Sequence, residues 1–456
     1  MVFSSLQFIF IFLPLFLFLY FTLPNKYRNN IILLGSIIFY IVGSWGHPHY
    51  LLLIALSICV NYIIGRQIEK NKKFLILGLI YNLGYLFMFK YCDFALSVVG
   101  SITNIEVTRL NLLLPIGISF YTFQSISYLV DIYQDKNKAE NSIIGLAKYI
   151  LMFPQLISGP LVRYDDIKNQ SENRIHTLDG LAQGCKYFIL GLGFKVLLAN
   201  RIGILWNEIL KIGFDGISTQ LAWLGVIGYS LQIYFDFAGY SLMAIGLGKM
   251  IGFELPENFD APYLSKSMTE FFRRWHMSLG KWFKNYLYIP LGGNRKGTAR
   301  TILNLFIVWM LTGLWHGASF NFVLWGVAIF FFVALEKLVL KKWLDKYPIL
   351  GHIYMIVLIP LMWTIFAITD LEQLKIMFGR MFTGVVGLYP LDYIKYAKTY
   401  GLLLIVGIVC CTKLPERFLL KKENNILELI ILLMIFWTAS YYVYMGIDNT
   451  FLYFNF

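Results

Sequence analysis

Apolar runs separated by short polar or basic connections recur along the whole chain, near 5–23, 30–45, 49–65, 74–89, 110–130, 143–162, 181–200, 220–248, 301–335, 353–368, 401–412 and 426–444. A helix needs about 20 apolar residues to cross a bilayer, and several of these runs are too short or too long for one simple crossing. Three are interrupted. LLLPIGISFYTFQSISYLVDIYQDK (112–136) contains a proline and the acidic Asp131, and FPQLISGPLVRYDDI (153–167) carries two prolines and a glycine. YSLQIYFDFAGYSLMAIGLGKMIGF (229–253) places Gln232 and Asp236 four apart, on one helix face. Irregular backbone at membrane depth is tolerated only where protein or water satisfies it. The pattern predicts an all-α polytopic membrane protein with 10–12 crossings plus re-entrant and interfacial pieces, forming one membrane domain over residues 1–456.

The amphipathic stretch 267–288 leads directly into a long uncharged one. Ser267 and Glu270 have the spacing of a capping box. At about 100° per residue, a helix from there sets Phe271, Trp275, Leu279, Trp282, Phe283 and Tyr286 on one face. Arg273, Arg274, Ser278, Lys281, Lys284 and Asn285 take the other. That division is the pattern of a helix lying in a membrane interface, ended by Pro290 and the Gly292, Gly293 pair. Between Thr301 and Leu335 there is no Asp, Glu, Lys or Arg, and His316 is the one readily titrating group. Gly313 and Gly317 flank it at a spacing that lets membrane helices approach closely. Arg300 marks the basic edge, which puts His316 about 24 Å further along a straight helix. A histidine at that depth is either satisfied by a neighbouring carbonyl or functional.

Composition agrees with the pattern: 58% of residues are hydrophobic and 14% charged. The formal charge of +13 reads through the positive-inside rule, as retention against anionic lipid, and not as a nucleic-acid footprint. Lys26 and Arg28 follow the first run, GSWGHPHY is free of Lys and Arg, and the third connection carries Arg66, Lys70, Lys72 and Lys73. This alternation places the N-terminus outside the cell membrane. It places those basic connections, 273–300, and the cluster Lys413, Arg417, Lys421 and Lys422 in the cytoplasm. Residues 5–23 lack a basic n-region and cleavage site and read as a retained span. The five cysteines show no metal-ligand spacing, and Cys410 and Cys411 read as buried thiols. His47, His49, His176 and His352 fall in connections and read as ordinary surface. For Asp236 the choice is a structural pair with Lys195 or Lys249, or a part in shaping an active site.

Together these stretches resemble the membrane-bound O-acyltransferase superfamily, in its alginate O-acetyltransferase-like branch. The resemblance is carried by MVFSSLQFIFIFLPL, LPIGISFYTFQSISYLVDIY, FPQLISGPLVRY and QIYFDFAGYSLMAIGLGKMIGFELPENFDAPY, and by FFRRWHMSLGKWFKNYLYIPLGGNRKG, LTGLWHGASFNFVLWG and the tail FLYFNF. It implies a ring of tilted helices around a thin centre with funnels from both faces. It also implies that His316 is the catalytic histidine and His276, in RRWH, the second motif histidine.

Acyl transfer to an alcohol needs a base, and histidine, with a reference pKa near 6.5, suits physiological pH. The resemblance implies an acyl thioester such as acetyl-CoA as donor substrate, with no bound cofactor or metal. It implies an extracytoplasmic partner protein and a polysaccharide as final acceptor. Arg273, Arg274, Lys281 and Lys284 are candidates for holding the donor's phosphates or, equally, for anchoring to lipid. Trp315, Asn321, Asp236 and Gln232 are further candidates for contacting substrate. D-alanyl transfer from a carrier protein, and transport of a lipid-linked sugar, are the competing functions. The lone deep histidine and the scarcity of paired intramembrane charges argue against transport.

Overall fold

The computed structural model describes residues 1–105, 107–136, 138–156, 159–421, 425–446 and 452. Of the features above, Ile157, Ser158, Lys422 and the tail FLYFNF apart from Leu452 lie outside the described residues. Every regular element among them is helical. Nine of these helices are long and apolar enough to cross a membrane, and Phe8–Thr22 is a shorter apolar one. That is close to the expected 10–12, and part of the difference lies in the first two interrupted runs, which form the short helices Ile118–Tyr133, Phe153–Leu156 and Tyr164–Asn173, whereas the third lies mostly within the unbroken 32-residue helix Thr219–Met250. The chain divides into two compact units, Met1–Phe188 with Met243–Pro256, and Ile189–Leu242 with Glu257–Phe456.

In the first unit the interrupted runs are satisfied by side chains, as hydrocarbon demands. Leu151 ends one helix and Phe153–Leu156 forms a single buried turn. The Phe153 amide donates to Ser36 Oγ at 3.1 Å, and Tyr149 donates its hydroxyl to the Val162 carbonyl at 2.8 Å. Upstream, the Asp93 carboxylate accepts the amides of Leu110 and Asn111 at 2.7 and 2.9 Å. Gly117, with φ +75°, starts the buried helix Ile118–Tyr133, and a Cβ there would sit 2.7 Å from the Leu156 carbonyl oxygen. Phe3, Phe8 and Phe16 are also buried, in ring contact with Phe153.

The second unit holds the uncharged run, and here the single segment expected over 301–335 is a hairpin. Gly297–His316 and Phe320–Leu335 are separate helices joined by the short turn 317–319. A Cβ on Gly317 would lie 2.2 Å from the Phe322 ring, so this turn closes only on glycine. The two helices touch backbone to backbone: a Cβ on Gly313 would meet the Phe322 carbonyl at 2.3 Å, and one on Gly326 the Trp309 carbonyl at 2.4 Å. Gly313 thus serves close approach as expected, its partner being Gly326 across the hairpin.

Asp236 and Lys195 form a buried ion pair at 2.5 Å, each side chain 2% exposed, and Asp236 also accepts the Leu452 amide at 2.8 Å. Lys195 lies within a π-helical turn, Phe194–Ala199, where the irregular ladder re-aims side chains. Lys249 is over the Tyr187 ring instead, in the first unit. Removing one member of such a pair leaves an uncompensated buried charge, at a cost of about 3–5 kcal/mol.

The hairpin seam is directly testable. Gly313→Leu should separate the two helices, lower the unfolding midpoint in detergent and abolish activity. Gly379→Ala, where a Cβ meets nothing within 4 Å, should leave both unchanged or raise stability by about 0.5–1 kcal/mol. Thermal unfolding of the two purified variants beside wild type is the measurement.

Candidate active site

The 267–288 segment is not the single helix that its periodicity predicts. Met268–Arg274 and Met277–Phe283 are separate short helices, followed by a π-helical turn, Lys284–Tyr288. The break falls at Trp275 and His276, and His276 has φ +44° and ψ 54°. A left-handed non-glycine residue costs on the order of 1–3 kcal/mol and persists only where its surroundings fix it. Here a neighbouring strand of chain does so. Asn258 accepts the Met277 amide at its carbonyl (2.9 Å) and the Ser278 amide at its side chain (3.1 Å), which satisfies the start of the second helix. The Asp260 amide donates to the Arg274 carbonyl at 3.0 Å, which satisfies the end of the first.

The first short helix is held from below by a carboxylate. Ser267 Oγ accepts the Glu270 amide at 3.1 Å, but Glu270 reaches back to the Lys266 amide at 3.0 Å and not to that of Ser267. The remaining amides of Met268 and Thr269 donate to buried Glu336, at 2.5 and 2.9 Å, and the Thr269 hydroxyl adds 2.7 Å. Glu336 follows directly after the uncharged run, so one carboxylate ties the helix that leads to His276 to the helix that follows His316.

Because of the break, His276 turns inward, 3% exposed. Its ring stands edge-on to Phe237 at 4.6 Å and lies 6.0 Å from Trp315. Trp275 and Phe283, from the aromatic face, are buried as well. Neither His276 ring nitrogen has a hydrogen-bond partner among the described residues, and burial pushes its pKa down to about 3. The ring is therefore neutral at physiological pH, with one donor and one acceptor to offer.

His316 ends its helix and is 5% exposed. Trp315, Trp325 and Phe366 stand edge-on around it at 5.0, 5.0 and 5.1 Å. Asn321 fixes part of this cage by donating to the Ile365 and Phe366 carbonyls at 3.2 and 3.0 Å.

Both histidines line one cavity of about 320 Å³. Aromatic and aliphatic side chains form most of its wall, among them Phe272, Trp275, Trp309, Trp325 and Val308, with Arg273 and Lys284 as its two cationic members. Apolar walls with a few convergent polar groups are the usual make-up of a small-molecule site. The other candidates lie elsewhere. Arg274 pairs with Glu270 at 2.8 Å, Lys281 is exposed, and neither lines the cavity. Asp236 and Gln232 face the helical stretch 195–203, where Gln232 fills the space above Gly203. Trp315 stands between the two imidazoles without lining the cavity, and Asn321 supports the cage from outside it. The sequence reading missed Trp325, Trp309, Phe272 and Glu336. Only Glu336 carried a usable signal, as the first charge after a long uncharged run.

Residues 49–370 match the membrane-bound O-acyltransferase family. The Pseudomonas putida protein named "Probable alginate O-acetylase AlgI" is 40% identical over 88% of this chain and 84% of its own length. The "Peptidoglycan O-acetyltransferase" of Helicobacter pylori is 33% identical over 87% of this chain and 82% of its own. The "Teichoic acid D-alanyltransferase" of Streptococcus thermophilus is 31% identical over 51% of this chain and 58% of its own.

The site geometry separates the two imidazoles experimentally. With donor and acceptor saturating, His276→Gln, which keeps a hydrogen-bonding group, should retain far more turnover than His276→Ala. His316→Gln should be as inactive as His316→Ala. His276 also predicts an acid limb of stability. Its folded pKa, about 3, lies below the unfolded value near 6.5, so the unfolded state takes up a proton first. Stability is constant above that unfolded pKa and falls as the pH drops from there toward 3. His276→Gln should flatten this fall in a pH series of unfolding midpoints.

Proposed function

The chain belongs to the membrane-bound O-acyltransferase family and is an O-acyltransferase, and on that basis we propose that it moves acetyl groups from a cytoplasmic thioester, acetyl-CoA, to the O-acetylation of an exported or cell-surface polysaccharide. The observation that carries this reading is that His276 and His316 line one and the same cavity, together with Arg273 and Lys284. Its apolar wall suits the uncharged pantetheine arm of the donor, and the two cations suit phosphates left at the basic edge. The identities favour acetyl over D-alanyl transfer: 40% over 88% of the chain for the alginate relative, against 31% over 51% for the teichoic acid relative.

In this reading His316 is the general base. It takes the proton of the attacking hydroxyl as that oxygen bonds to the thioester carbonyl carbon. The C–S bond then breaks, and the imidazolium returns the proton to the departing thiolate. His276 donates its N–H to the thioester carbonyl or the pantetheine amide and positions it, with Trp315 and Trp325 excluding water from the reacting atoms. General-base help of this kind is worth about 10²–10⁴ in rate. Asp236, paired with Lys195, is a support of the helix bearing Phe237 and takes no part in the chemical step. The attacking hydroxyl belongs to an extracytoplasmic partner protein, which carries the acetyl ester away on the far side and completes delivery to the glycan. The protein lies in a bacterial cell membrane with its N-terminus outside.

The test is the O-acetyl content of the surface polysaccharides, by NMR, in a deletion strain carrying either wild type or His316→Ala. Wild type should restore the acetyl signals, and His316→Ala should restore none while accumulating normally in the membrane. Full acetylation by the His316→Ala strain, or no change in any polysaccharide on deletion, would contradict the reading.

A further inference from the structure

Within the first unit, three connections bring two arginines together, with no carboxylate paired to either among the described residues. We propose that Arg28 and Arg174, with Asn29 and His176, form a binding site for a phosphate ester group at one edge of the membrane domain. Arg28 opens the helix Arg28–Gly43, whose first turn holds no acidic residue and whose N-terminus has no side-chain cap. Its guanidinium carbon stands 5.4 Å from the Tyr20 ring centre, and that of Arg174 lies 4.4 Å from the Phe253 ring centre. Tyr20 ties the group together: its hydroxyl donates to the Ile251 carbonyl at 2.8 Å and lies 3.5 Å from His176 Nδ1. Arg174 Nη2 donates to Asn29 Oδ1. Gly252, with φ +78°, leaves room for the imidazole, since a Cβ there would come within 3.1 Å of His176 Nδ1.

Among the described residues no carboxylate lies within ion-pair distance of either arginine. Glu172, Asp179 and Glu254, the acids nearest in sequence, are exposed. Arg28 Nε and Arg174 Nε and Nη1 are buried and have no hydrogen-bond partner there. Buried cationic donors without partners are costly. Burial, with the charges of Arg28 and Arg174 added, also pushes the His176 pKa down to about 4. Two planar guanidiniums offer paired N–H groups that match phosphate oxygens bidentately, and a neutral imidazole offers one more donor. Ile175 and Leu178 stand beside the site 80% and 85% exposed, so aliphatic side chains flank the cations. That combination suits a phospholipid headgroup with its acyl chains alongside.

The experiment uses the full-length protein in detergent and in nanodiscs. One arm measures retention of phosphatidylglycerol against phosphatidylcholine by native mass spectrometry; the other measures the unfolding midpoint with and without millimolar inorganic phosphate. Wild type is compared with Arg28→Gln, with Arg174→Gln and with the double variant. Loss of charge-assisted hydrogen bonds should weaken binding by about tenfold or more. The single variants carry the comparison if the double variant does not fold. Selective retention of phosphatidylglycerol by wild type and its loss in the variants identifies a lipid headgroup. Stabilisation of wild type alone by inorganic phosphate, without lipid selectivity, identifies a soluble phosphate. In either case the His176 resonance should titrate at higher pH with ligand bound. Identical behaviour of wild type and variants in both arms would overturn the proposal.

Discussion

An imidazole inside a membrane protein has to be kept from lipid and from bulk water together, and the second unit of this protein does so with aromatic rings. Phe237 and Trp315 stand around His276; Trp315, Trp325 and Phe366 stand around His316. Edge-on rings present their positive rim or negative face according to angle, so they pack closely without competing for the nitrogens' hydrogen bonds. The low dielectric strengthens whatever polar contact a substrate then makes in the cavity. Much of the surrounding architecture holds those rings still. Asn321 anchors the carbonyls of Ile365 and Phe366, and the glycine seam between Gly313 and Gly326 sets where Trp325 falls relative to His316.

The same economy explains the left-handed His276. A continuous helix would carry this residue at the edge of an amphipathic face, whereas the break turns it into the interior. The strain is met by hydrogen bonds that Asn258 and Asp260 bring from an adjoining segment, and by Glu336 at the helix start. Each bond contributes about 1 kcal/mol, more where a charge takes part, comparable in sum to the cost of one left-handed residue. A basic surface is thereby joined to a buried ring within a few residues, since Arg273 is exposed and His276 is not.

How much of this was legible in the sequence follows from which signals are local. Long apolar runs identify membrane helices because the bilayer sets their length, and His316 stood out because a titrating group in an uncharged run has few structural reasons to be there. A cation partner for Asp236 was legible because a buried carboxylate needs one, but Lys195 and Lys249 stayed equally open until the structure paired it with Lys195. The break at Trp275 and His276 was not, because its cause is Asn258, outside the amphipathic pattern. Nor was the hairpin turn at Gly317, where glycine reads as helix packing until Phe322 is seen beside it. His176, read as surface, is half-buried between two arginines; that juxtaposition joins three distant connections and has no local signature. Arg274 and Lys281 share a helix face with Arg273 and Lys284, and only the break decides which pair reaches the cavity.

The central claim is that the thioester reacts in the cavity between His276 and His316, with its phosphates at Arg273 and Lys284. The most direct measurement is a structure of the protein with an acetyl-CoA analogue in which a methylene group replaces the reactive sulfur. The account predicts the analogue's carbonyl within hydrogen-bond distance of His276, its acyl carbon facing His316, and its phosphates against Arg273 and Lys284. An analogue bound with its acyl end outside that cavity, or with its phosphates remote from both cations, would contradict it.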